Sequence, residues 1–316
     1  MRRSLVVSLV VVGLLAPASA RAWNDFGHME VAAVAFAKLA PKARARASAL
    51  LRLNPRHAIW VAGAKKGDVD VVAFMRAATW ADAIKTDPSY LDEARAPAAP
   101  LGYADRSKHN SWHYVDTPYS LDGTPTVPAP VPNAATEIPR LAAALGDPAA
   151  SDDAKSYALT WLLHLVGDVH QPLHCAERYD AALPKGDRGG NRIKITGATQ
   201  PVPCDDPRYC PYGPPENLHY FWDDLAGAGY APAPVRAAAA KLPAADPKAA
   251  AAPPAVWFAE GFELARTVVY AAPIGAGEGP FAIDAKYQAA AEKVARARMA
   301  LAGARLAKLI DDALGK

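Results

Sequence analysis

Apolar side chains recur along most of the chain at the three- and four-residue intervals of a helix face, and the breaks fall where proline, glycine and aspartate gather. On that pattern residues 30–39 and 42–53 predict two helices parted at Pro41, and 71–84 predicts a third. Residues 87–108 and 118–132 read as loops. Helical spacing resumes at 134–145 and at 152–169, where Pro172 forbids continuation. Residues 171–215 form the longest irregular stretch, with a candidate short strand at 192–196, and loops of such length in compact domains are functional or disordered. Helices at 217–224, 255–270 and 285–314 complete the inventory, and the Ala-rich, Pro-punctuated 231–254 reads as a surface excursion. Strand signals are nearly absent and no internal repeat is visible. The expected class is all-α: a single mainly helical domain with long irregular loops and at most a small hairpin.

The first 22 residues follow a different pattern. Arg2-Arg3, an apolar run from Leu5 to Ala16 and small residues ending Ala20-Arg21-Ala22 read as a secretory signal peptide. The run falls short of the ~20 apolar residues a retained spanning helix needs. The expected organisation is therefore a signal peptide at 1–22 and a functional domain at 23–316, exported to the periplasm or secreted. Ala20 and Ala22 suit cleavage directly before Trp23, and Ala18-Ser19-Ala20 offers a second site two residues earlier.

Composition narrows the functional classes. With 51% hydrophobic and 21% charged residues the chain has the make-up of a globular protein, which excludes disorder as a whole-chain reading. The net charge of +3 comes from Arg2, Arg3 and Arg21, so the remainder is neutral. A neutral protein cannot depend on a broad basic coat, and an anionic substrate must be gripped locally. The cysteines are Cys175, Cys204 and Cys210. Export permits a disulfide: Cys204 with Cys210 would close a small loop, and Cys175 with either is the alternative. No Cys-x-x-Cys spacing supports a thiolate zinc site.

Helix 152–169 carries His164 and Asp168 four residues apart, hence on one face and among apolar neighbours. A hydrogen bond between them is the plain explanation, since a buried Asp is costly unless paired or coordinated. His174 follows just past the helix end, however, and His219 with Asp223 repeats the spacing. Imidazole with carboxylate and no thiolate is the ligand mix of catalytic zinc. His28, Asp82 and His113 are further candidates, whereas His57, His109 and His170 read as surface or supporting residues.

These segments, in their order and spacing, resemble the zinc-dependent, single-strand-specific nucleases and 3'-nucleotidases of the S-one/P-one type. The likeness runs from Trp23 and His28 through Trp80-Ala81-Asp82, Trp112-His113-Tyr114-Val115-Asp116, His164 to His174, Gly189-Gly190-Asn191 and Asn217 to Asp223, to Ala302-Gly303-Ala304-Arg305-Leu306-Ala307. It implies a mainly helical fold with three zinc ions. One would be held by Asp82, His113, His164 and Asp168, and a second by His174, His219 and Asp223. The third would take His28, Asp168 and the amino nitrogen and carbonyl oxygen of Trp23. Cleavage before Trp23 would create that amine, whose ordinary pKa of ~7.7–8.0 lets it deprotonate under metal binding.

The resemblance further implies endonucleolytic cleavage of single-stranded DNA and RNA to 5'-phosphorylated products, and removal of 3'-phosphates from nucleotides. It places a stacking aromatic at Tyr114, a base-edge acceptor at Asp116 and Asn191 nearby. Where the family commonly has Arg three residues after the ligand Asp, this chain has Lys85, which keeps the charge and loses the two-pronged hydrogen bonding. Asp82 either orients the attacking water and accepts its proton or serves as a ligand alone. The expected partners are nucleic acid and 3'-nucleotides, with no stable membrane association and a monomeric state. The alternatives are a zinc-dependent phospholipase C, whose His after the Trp lies further along and whose last pair ends in Glu, and a non-catalytic zinc-binding protein.

Overall fold

The computed structural model describes residues 23–97, 99–199 and 213–315. The expected signal peptide, Cys204 and Cys210 lie outside them.

The fold is all-α. Its helices are α1 (Asp25–Lys38), α2 (Pro41–Leu51), α3 (His57–Trp60), α4 (Val69–Ala77), α5 (Trp80–Ala83), α6 (Ala134–Gly146), α7 (Asp152–Asp168), α8 (Leu218–Asp223), α9 (Pro232–Ala239), α10 (Pro247–Ala250), α11 (Pro254–Leu264) and α12 (Ala285–Leu314). Their starts are written in the sequence. Asn24, Ser151, Asn217 and Asp284 accept hydrogen bonds from backbone N–H groups of the first turns of α1, α7, α8 and α12, and proline opens α2, α9, α10 and α11.

Helix α7 is the axis of the molecule. Every residue from Ser156 to Asp168 is buried, and α1, α2, α4, α5, α6 and α12 pack around it. A helix buried on all sides has no solvent face to carry its polar residues. His164 and Asp168 therefore have to find their partners inside the protein.

Three sequence expectations change form. The helix expected over 71–84 is broken between Ala77 and Trp80, where the Thr79 hydroxyl donates to the Arg76 carbonyl at 2.9 Å and competes with the helical ladder. The excursion at 231–254 holds α9, which packs on α1, and α10, which packs on α12. Strand content among the described residues consists of two parallel pairs rather than a hairpin. Thr117–Ser120 (β1) pairs with Ala176–Tyr179 (β2), and Ile195–Thr196 (β3) pairs with Phe281–Ala282 (β4). The first pair fixes the segment after His113 beside the segment after His174. No described helix is long and apolar enough to cross a membrane.

Candidate metal centre

The break before α5 has a direct consequence for His164. It leaves the Ala78 carbonyl facing α7, and His164 Nδ1 donates to it at 2.6 Å. The other ring nitrogen, Nε2, then carries a lone pair and points at carboxylates: Asp168 Oδ1 lies 3.3 Å away and Asp82 Oδ1 3.7 Å. Asp82 is held there because Trp80, two residues earlier, packs edge-on against Trp161 of α7 with centroids 5.6 Å apart.

His113 arrives on the 3-10 turn Asn110–His113. Its Nδ1 lies 2.9 Å from Asp168 Oδ2 and 3.0 Å from His164 Nε2. His28, on the first turns of α1, stacks on the His164 ring at 3.8 Å and reaches Asp168 Oδ1 at 3.3 Å. Gly167 makes that approach feasible, since a Cβ there would sit 2.9 Å from His28 Nδ1. Asp168 thus lies against His28, His113 and His164 together.

A third group lies past the end of α7. The turn Pro172–Cys175 presents His174, whose Nδ1 donates to the His113 carbonyl at 2.6 Å, and α8 presents His219, whose Nδ1 donates to the Gly189 carbonyl at 2.6 Å. Their Nε2 atoms face each other across 3.2 Å, and Asp223 Oδ2 lies 3.5 Å from that of His219. Gly189, at φ +57, can turn its carbonyl this way because a side chain there would run into the Leu173 carbonyl at 2.7 Å. Gln171 donates to Asp223 Oδ1 at 2.8 Å and fixes that carboxylate.

The donor atoms in each of three sets, His28–His164–Asp168, Asp82–His113–His164 and His174–His219–Asp223, lie within 4.8 Å of one another. Burial, and then the neighbouring His164 ring, lowers the His28 pKa to about 3. Burial and Lys85 lower that of His113 to about 4, and burial lowers that of His174. These rings are neutral near pH 7 and offer lone pairs. Burial disfavours ionised Asp82 and Asp168, yet Lys85 and His164 hold the first below the ordinary carboxylate range and His164 and His113 the second. Burial lifts Asp223 well above that range.

Both ring nitrogens of His28, His113 Nε2, Asp168 Oδ1 and Asp223 Oδ2 are buried and make no hydrogen bond among the described residues. Buried polar atoms left without partners are destabilising, and a cation held among the donor sets would satisfy their lone pairs. The residues therefore fit divalent metal, and the mixed imidazole–carboxylate sets fit zinc.

Trp23 is fully buried at the head of α1 beside Gly27, and the next N–H, that of Asn24, donates to the Asp223 carbonyl at 3.3 Å. Trp23 therefore sits at the head of the His28 helix, next to the segment that carries Asp223. Lys85 is no surface lysine: its side chain is 6% exposed and its Nζ lies 2.7 Å from Asp82 Oδ1.

Tyr114 and Asp116 are half-buried on the segment leading from His113 into β1. Burial, with Asp116 nearby, raises the Tyr114 pKa to about 12. Burial, then Glu177 and Asp187, pushes the Asp116 carboxyl well above its ordinary range, with Arg188 opposing. Asn191 donates to the Arg188 carbonyl at 2.7 Å, which joins it to the same neighbourhood.

The three remaining histidines have structural partners or lie apart. His109 stacks on Trp112 and pairs with Asp105, and His170 bridges the Val166 carbonyl and Arg305. His57 lies on α3 beside Arg52 and Asp70. Sequence reasoning passed over Gln171, Gly167 and the carbonyls of Ala78 and Gly189. A glutamine just before the proline that ends a ligand-bearing helix was the one local signal.

A buried cluster of imidazole and carboxylate donors inside a helical bundle makes this a candidate metal centre. Compared with known families, the chain matches S1/P1 Nuclease over residues 23–315, and it belongs to that family of metal-dependent enzymes acting on nucleic acids. Comparison with curated proteins gave no match.

Proposed function

We propose that residues 23–316 form one exported zinc-dependent endonuclease domain that hydrolyses phosphodiester bonds of single-stranded DNA and RNA to 5'-phosphorylated products and removes 3'-phosphates from nucleotides. The observation that carries this reading is the convergence of imidazole and carboxylate donors on Asp168, with orphaned lone pairs in every group. Three zinc ions fit the donor sets: Asp82, His113, His164 and Asp168 for one, His174, His219 and Asp223 for another, and His28, Asp168 and the Trp23 amine and carbonyl for the third. Bound zinc would acidify coordinated water and offset charge growing on the phosphoryl oxygens.

The chain's own residues do the rest. Asp82 orients the attacking water and accepts its proton, while Lys85, already against Asp82, holds a non-bridging phosphate oxygen by charge. In-line attack expels the 3'-oxygen and leaves phosphate on the 5' side. Tyr114 stacks on the base upstream of the cut, and Asp116 and Asn191 meet its edge. Base pairing hides both surfaces, so unpaired strands are preferred. The protein works as a monomer in the periplasm or the medium.

The test follows cleavage of a single-stranded oligonucleotide, its duplex and phosphatidylcholine by Trp23-started protein loaded with zinc. Rapid, chelator-sensitive loss of the single strand is expected. Lipid turnover alone would transfer the site to phospholipase chemistry, and inactivity on all three would leave a zinc-binding protein.

A further inference from the structure

Asp82 looks two ways. One side faces the imidazoles of the metal centre. The other lines a cavity of about 550 Å³, whose wall also includes Asp25 of α1, Arg56, Ile59 and Trp60 around α3, Thr79, and Tyr230. The cavity has the size of a ligand pocket, and the surroundings of Tyr114 and Asp116 are different: Glu93, Glu177 and Arg188. The reacting centre therefore has a pocket on the side where no base has yet been placed.

We infer that this cavity seats the nucleotide downstream of the scissile bond, with Arg56 binding the phosphate that follows it. The inference rests on the nuclease reading above. A strand whose upstream base lies at Tyr114 and whose phosphate lies at Asp82 and Lys85 must continue past Asp82, and this is the adjoining hollow. Arg56 is the only cation lining it among the described residues. Its hydrogen-bonded partner is Asp87, which takes one terminal nitrogen of the guanidinium. Asp87 is in turn held by the Ser89 N–H and hydroxyl at 2.9 and 2.7 Å, so the arginine is aimed from a fixed base. An arginine anchored on one edge still offers donors for phosphate.

The wall carries three carboxylates, those of Asp25, Asp82 and Asp87. Asp82 is matched by Lys85, and Asp87 is the arginine's own anchor. For the nucleoside, the wall supplies an exposed Ile59, 67% accessible, and the Tyr230 ring, which Arg76 covers from 5.1 Å. The Thr79 hydroxyl, 3.5 Å from the Tyr230 hydroxyl, adds a polar point for the sugar. Apolar and aromatic surface with few polar groups accepts any base, which suits an enzyme without sequence choice.

The experiment measures kcat/KM of zinc-loaded wild type, Arg56→Gln and Arg56→Lys on thymidylyl-thymidine, which lacks the downstream phosphate, and on octathymidylate, which has it. Arg56→Gln should lower kcat/KM on the octamer about tenfold more than on the dinucleotide. It should also flatten the slope of log kcat/KM against log salt by about 0.7, one phosphate contact on a single strand. Arg56→Lys should keep that slope and recover part of the rate. Equal losses on both substrates, at unchanged or lowered Tm, would make Arg56 structural and overturn the inference, as would no loss on either. Wild type that cleaves neither substrate would overturn the nuclease reading, and the inference with it.

Discussion

The Nε2 atoms of His174 and His219 stand 3.2 Å apart, each on a ring whose Nδ1 is bound to a backbone carbonyl. Two unprotonated nitrogens cannot hydrogen-bond to each other, and burial resists adding a proton to His174. Without a cation the pair is repulsive. Chelation should therefore destabilise the protein as well as inactivate it. Metal held at 1,000 times its Kd contributes about 4 kcal/mol, enough to move Tm by several degrees. Differential scanning calorimetry with and without chelator checks this, and an unshifted Tm contradicts a metal-filled site.

Asp168 touches His28, His113 and His164. Asp168→Asn keeps the shape and removes the charge and one acceptor, so two neighbouring metal positions should weaken together. Zinc counted by native mass spectrometry should fall by more than one ion per chain, and activity should drop at least about 100-fold, the upper end for loss of a mere supporting partner. Loss of a single ion would separate the two positions.

Gly167 lies against the imidazole of His28. Gly167→Ala forces either the ring or α7 to move, an overpacking cost of about 1–3 kcal/mol. Urea unfolding should show that loss in the midpoint without a change in slope. The variant should also lose activity beyond its loss of stability, because His28 is displaced from Asp168.

Away from the metal centre, Asp105 sets an acid limit. Burial opposes its ionisation, but the His109 ring at 2.7 Å, the Ser107 N–H and the Tyr157 hydroxyl hold its carboxyl below the ordinary range. A carboxyl depressed in the folded state stabilises above its unfolded pKa of ~3.9, and that contribution vanishes as pH falls through the folded value. The Tm difference between wild type and Asp105→Asn should be greatest near neutrality and shrink below about pH 4. A gap independent of pH would assign the effect to packing.

Much of this centre is legible in the sequence, for reasons that differ by residue. His164 with Asp168 and His219 with Asp223 are local: four residues on a helix place both side chains on one face. His28, Asp82 and His113 come from distant segments: residue type made them candidates, and only the family resemblance sorted them into sites. Their supports are less legible still. Ala78 contributes a carbonyl exposed by a helix break that the periodicity at 71–84 runs straight through, and Gly189 contributes one through a backbone angle. The pairing of β1 with β2 joins segments some 55 residues apart, beyond the reach of any local pattern. Helices α9 and α10 were hidden by proline, which marks a helix start as readily as a loop.

The C-terminal helix reaches the centre indirectly. Arg305 bonds the His170 ring, Arg298 bonds the His170 carbonyl, Glu260 locks both arginines, and α12 lies along α1, the helix of His28. His28, near the start of the described residues, is thus steadied by α12, near their end. Where α12 is undocked, the donor residues are present without the packing that sets the position of α1. The spacing of the His28 group is therefore coupled to the docking of α12, although no candidate ligand lies on that helix.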